Sequence, residues 1–220
     1  MATFVLVHGR QLGGWAWRRV EEHLRSGGHT VFRPSLTGCA DRSHLTENVT
    51  VDTHITDITN LLIWEDLDNV ILCGHSYAAV VVKGVADRMP DRLAATIYID
   101  GLIPENGQST RVVRDTPPRI FAAEAPRVFQ RDPEANAYVK TKLGVFPEQC
   151  FDEPMSFVGR FNEVPQKLYI RSGLFSSPAL DRLFERALAD PEWQAVFVAA
   201  GHNAMIDNPE AIANILIGAI

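Results

Sequence analysis

Short apolar runs without polar alternation recur along the chain, and most are followed by residues at helical spacing. Residues 3–7, Thr-Phe-Val-Leu-Val, form the first such run, the pattern of a strand buried on both faces. Trp15, Trp17, Val20 and Leu24 then fall roughly at helical spacing, and Gly27-Gly28 ends that helix. A short strand is predicted over residues 29–34. Ile55, Ile58 and Leu62 mark an amphipathic helix over about 51–64. The run from Val70 predicts a further strand, and the Ala- and Val-rich residues from 78 to Pro90 a helix. Strands are predicted again over 94–100, 167–171 and 195–200. Helices are predicted over 178–190 and 209–220. Alternating strands and helices imply an α/β fold with a doubly wound, mostly parallel sheet of about six strands. In such sheets ligands bind beyond the carboxyl ends of the strands.

Residues 104–165 break this rhythm. Prolines recur (Pro117, Pro118, Pro126, Pro133, Pro147, Pro154), and aromatic residues such as Phe121, Phe129, Phe146 and Phe151 are interleaved. Short helices joined by loops fit best. The expectation is a single domain over 1–220 with a helical cap inserted at 104–165, above the strand ends. A plain surface subdomain is the alternative.

Composition narrows the function. The 220 residues suffice for one sizeable domain. A net charge of −6 and the lack of any Lys/Arg run argue against a nucleic-acid partner. No apolar stretch is long enough to span a bilayer. Met1 leads straight into a strand-like run without a basic leader, so no cleavable signal is expected. Cys39, Cys73 and Cys150 have neither disulfide-framework nor zinc-type spacing, which leaves a reducing cytoplasm as the default and no metal or cofactor expected. Oligomeric state is not legible, and a homodimer stays open.

The chemistry centres on Gly74-His75-Ser76-Tyr77-Ala78, set between a strand and a helix. A serine in so tight a turn needs small neighbours two residues to either side, and here they are Gly74 and Ala78. The turn lifts the hydroxyl above the sheet at a helix N-terminus. A structural turn is the bland alternative. A serine nucleophile needs a base within hydrogen-bond reach. Among seven histidines, His202 alone ends a late buried strand in a small-residue loop. His8 and His75 lie inside motifs that they shape, His23 and His29 on or just after a helix, and His44 and His54 in or near a loop. Asp100, ending the strand after the serine, is the first choice for the carboxylate that orients the base. A turn cap before Gly101 is its structural alternative, and Asp181 is the second choice of acid. The oxyanion donors are expected to be the backbone N–H groups of Tyr77 and Arg10. The Arg10 side chain could face substrate or solvent. Gly9, Gln11, Phe121 and Phe129 are the expected substrate contacts. The turn after the first strand lacks GxGxxG or GK[ST] spacing, so phosphate cradling is the weaker reading.

The whole chain resembles the α/β-hydrolase superfamily, with the insert matching least. Phe4-Val5-Leu6-Val7-His8-Gly9, Gly13-Gly14-Trp15-x-Trp17, Leu36-Thr37-Gly38, Gly74-His75-Ser76-Tyr77, Tyr98-Ile99-Asp100 with Pro104-Glu105, and Gly201-His202 follow the order of one branch. That branch holds plant-type methylesterases, hydroxynitrile lyases and bacterial esterase relatives. The resemblance implies a cofactor-free serine hydrolase acting on a small ester or amide through an acyl-enzyme. Two positions depart from the branch. Its acid follows the strand 167–171, where Ser172-Gly173-Leu174-Phe175 offers no carboxylate. Asp100 instead sits where the related haloalkane dehalogenases carry theirs. Its hydroxynitrile lyases have a threonine after the first-strand histidine and a lysine after the catalytic one, where this chain has Gly9 and Asn203. Without that lysine a C–C lyase is a lesser alternative, and the missing acid keeps open a second one, a non-catalytic ligand-binding protein that retains the pocket.

Overall fold

The computed structural model describes residues 1–116, 129 and 131–219. Six strands form one sheet: β1 Thr3–Val7, β2 Thr30–Phe32, β3 Val70–His75, β4 Leu93–Ile99, β5 Gln166–Ser172 and β6 Trp193–Val198. Their order is β2-β1-β3-β4-β5-β6, and every neighbouring pair is parallel. The uninterrupted apolar runs follow from this burial. Val5, Val7, Val70 and Leu72 pack into the core on one face, while Phe4, Leu6, Ile71 and Cys73 pack into the core on the other.

Helices cover both faces. α1 (Arg18–Ser26) and, at the end of the chain, α9 (Pro209–Gly218) bury Val20, Leu24, Ile212 and Leu216 on one side. α2 (Val51–Trp64), α3 (Ala78–Arg88) and α7 (Pro178–Ala189) bury Ile55, Val81 and Phe184 on the other. Thr50 caps α2 by accepting from the Thr53 N–H, with the Thr53 hydroxyl accepting in return from the Thr50 N–H. Between β4 and β5 lie α4 (Thr110–Asp115), α5 (Pro133–Lys142) and α6 (Gln149–Asp152), with no strand among the described residues there.

Some boundaries differ from the sequence reading. The first helical stretch opens as a 3-10 turn, Gly14–Trp17, before α1 begins. The last strand starts two residues early and ends at Val198, because Ala199 and Ala200 already turn towards the site. β6 is an edge strand, so it tolerates the exposed polar Gln194, which hides its start. A short α8 (Ala204–Asp207) precedes α9. His54 is not in or near a loop but buried on α2.

Strand register levels the carboxyl ends. Val7 faces Gly74, His75 faces Ile99, and Ile99 faces Ile170. The His8-Gly9 turn, Ser76, Asp100 and Ser172 therefore emerge along a single edge of the sheet.

Candidate active site

Ser76 is the single turn residue between β3 and Tyr77, the N-cap of α3, and its φ is +53°. That left-handed backbone is costly for a residue with a Cβ and is held by its surroundings. Its N–H donates to Ile99 O (2.9 Å), and its carbonyl accepts from Leu102 N–H (3.1 Å). Gly74 is needed for close approach: a Cβ there would lie 2.6 Å from Val82 Cγ2 and 2.9 Å from Ala78 O.

Asp100, just past β4, is fully buried and also left-handed at φ +44°. Its Oδ2 lies 2.9 Å from His202 Nδ1, and His202 Nε2 lies 3.1 Å from Ser76 Oγ. An ionised carboxylate only accepts, so the neutral ring carries its proton on Nδ1 and offers the Nε2 lone pair to the Ser76 hydroxyl. The His202 loop is tied down from both sides. Gly201 N–H donates to Asp207 Oδ2 (2.8 Å), and Asn203 N–H donates to Phe129 O (3.0 Å). Phe175 stacks on the His202 ring with centroids 4.4 Å apart.

Asp181 stands elsewhere. Its carboxylate bonds Arg171 Nε at 3.0 Å and is half exposed. The helix α7 carries it away from His202, as its position ten residues past the strand foreshadowed.

The buried histidines are neutral scaffolding. His8 donates Nδ1–H to Gly9 O (2.9 Å) and accepts Leu36 N–H at Nε2 (3.0 Å). Burial pushes its pKa down to about 4. His54 donates Nε2–H to Thr37 O (2.8 Å) and accepts from Tyr77 OH (2.7 Å), and burial lowers its pKa. His75 donates Nε2–H to the His202 carbonyl (2.9 Å), and burial holds its pKa well below the usual histidine range.

A cavity of about 810 Å³ opens over Ser76 and His202. Gln11, Phe129 and Phe175 line it, together with Val139 and Leu143 from the insert. Arg10 lines it too, with its Nε donating to Glu148 at 3.0 Å. Among the described residues, neither Arg10 N–H nor Tyr77 N–H has an internal acceptor, as an oxyanion-binding pair requires. Gly9, expected to touch substrate, does not line the cavity. It packs beneath it, where a Cβ would lie 2.7 Å from His75 Nδ1. Phe121 lies outside the described residues.

Three residues escaped the sequence reading. Arg171 donates to Asp100 Oδ1 (3.0 Å) while almost fully buried. Lys83 and Asp87, one turn apart on α3, hold the insert at both ends. Lys83 Nζ donates to Pro104 O (2.8 Å), and the Asp87 carboxylate accepts from the N–H groups of Val158 (2.7 Å) and Gly159 (2.8 Å). For Lys83 and Asp87 the one signal was a charge within a largely apolar helix.

A family model described as the alpha/beta hydrolase family matches residues 4–215. The chain belongs to the α/β-hydrolase family. Within it, the carbendazim hydrolyzing esterase of Nocardioides sp. (strain SG-4G) is 34% identical over 236 residues, covering 97% of this chain and 97% of that protein. Methylesterase 8 of Arabidopsis thaliana is 30% identical over 112 residues, or 50% of this chain and 41% of that protein. An extracellular α/β-hydrolase from a Paenibacillus species has the same fold, with a TM-score of 0.82 at 21% identity over 100% of this chain and 99% of that one. No helix among the described residues of this α/β-hydrolase is long and apolar enough to cross a membrane.

Proposed function

We propose that this α/β-hydrolase is a serine esterase that cleaves a small, largely apolar ester or amide through an acyl-enzyme. The contact chain from Asp100 through His202 to Ser76, at the floor of a cavity partly walled by apolar side chains such as Phe129, Val139, Leu143 and Phe175, carries this reading. Ser76 Oγ attacks the carbonyl carbon as its proton passes to His202 Nε2. Asp100 holds the imidazolium that forms. The N–H groups of Arg10 and Tyr77 take the charge developing on the carbonyl oxygen. The tetrahedral intermediate collapses, the C–O or C–N bond breaks, and His202 returns the proton to the leaving group. Water then repeats the sequence on the acyl carbon and frees Ser76.

The extended similarity to a carbendazim hydrolyzing esterase, and the shorter one to methylesterases, put carbendazim and methyl esters first in a substrate screen. Three free, buried cysteines suit a reducing, cytoplasmic setting. The test needs no known substrate. Intact mass after incubation with a fluorophosphonate should show one adduct on the wild type and none on Ser76→Ala. A folded wild-type protein that takes no adduct would refute an activated serine.

A further inference from the structure

Asp100 presents two oxygens, and only one can serve His202. Oδ1 accepts from Arg171 Nη1 (3.0 Å) and from Ser172 N–H (2.9 Å), which leaves Oδ2 for His202 Nδ1. Arg171 sits near the end of β5 with a side chain only 3% exposed. Its Nη1 also donates to Ser172 O (2.7 Å), its Nη2 to Phe175 O, and its Nε to Asp181 Oδ1 (3.0 Å). A planar fork engaged on all three nitrogens cannot rotate without breaking several bonds at once. Asp100 and the neutral His75 lie beside the His202 ring, Arg171 and Asp181 behind Asp100, and Asp207 under Gly201 with Arg131 paired to it. Arg10, Arg114, Asp115 and Lys140 line the same cavity as His202.

We propose that Arg171 is a positioning residue for the reaction: it occupies Oδ1 of Asp100 and so fixes the carboxylate with Oδ2 aimed at His202. The inference rests on the serine-esterase reading of the same site. A purely structural ion pair would hold β5 and α7 together and leave turnover alone. A positioning residue acts on kcat and spares KM, because Arg171 itself does not line the cavity.

The experiment compares the full-length wild type, Ser76→Ala, Arg171→Met and Arg171→Lys. Two readouts are used, the rate of fluorophosphonate labelling and steady-state hydrolysis of 4-nitrophenyl acetate. Arg171→Met should lose about 10²-fold in kcat, the scale of an ångström of misplacement, with KM within about threefold of wild type. Labelling should slow in parallel. Arg171→Lys keeps the charge without the fork and should still lose about tenfold. Should Arg171→Met fail to fold, Arg171→Lys decides alone. A folded Arg171 variant with wild-type kcat and labelling rate overturns the proposal. A wild type that takes no adduct at Ser76 overturns the esterase reading itself, and the proposal falls with it.

Discussion

His8 and Asp100 show what burial demands of single residues here. His8 is fully buried and neutral, with a pKa near 4 against an ordinary 6.5. Its folded-state pKa is depressed, so the unfolded chain binds the proton first as pH falls. The stability it contributes is complete above about pH 6.5 and lost progressively down to about pH 4, roughly 3 kcal/mol for this one group. Burial of His54 and His75 acts in the same direction. Urea midpoints measured from pH 8 to pH 4 should fall steeply through this window, and His8→Gln should flatten the slope. An unchanged slope in that variant would remove His8 from the account. At Asp100 the expected effect is on rate. Asp100→Asn keeps the shape but gives His202 the wrong tautomer, so kcat should drop on the order of 10³- to 10⁴-fold. Near-full activity would mean that the base works without this acid. Much of this was legible residue by residue. The tight turn at Ser76 could be read from its small neighbours, and the position of His202 beyond the last strand from the apolar run before it. The role of Arg171 could not, because an arginine near a strand end reads as solvated until its partners are known.

At the scale of elements, α3 has two tasks. Its N-terminus carries the strained turn at Ser76, and its next turns anchor the insert through Lys83 and Asp87. Asp87→Ala leaves the N–H groups of Val158 and Gly159 without their acceptor. It should cost about 1–3 kcal/mol in chemical unfolding. It should also open residues 104–165 to limited proteolysis before the sheet. Stability equal to wild type would show that other contacts hold the insert. The helix was readable from its apolar run and from Pro90 beyond it. Its buried charges were not. They follow from a neighbour more than twenty residues away in one case and more than seventy in the other.

For the molecule as a whole, the insert contributes part of the wall of the cavity over Ser76. Val139 and Leu143 on and beside α5 face the cavity above the sheet's carboxyl edge. Leu143→Trp should cut kcat/KM about tenfold for 4-nitrophenyl butyrate and leave the acetate within about threefold. Equal losses on both esters would place Leu143 outside the acyl path.

The order of strands and helices, the parallel sheet and the turn at Ser76 were determined by local pattern. Each needs only neighbours a few residues apart: runs with no polar alternate, a glycine two before a serine, a helix begun at once after it. Which carboxylate lies against His202 is seen only in three dimensions. Position along the chain ranks Asp100, directly after its strand, above Asp181, ten residues past one, but it does not show which carboxylate meets the histidine. Strand register levels β4 with β5 and brings Asp100 to a histidine 102 residues on, which in turn meets a serine 126 residues back. The same packing turns Asp181 outward on α7 and leaves it bound to Arg171. Such contacts depend on how layers stack and strands align, and a linear pattern carries that information only through the fold it builds.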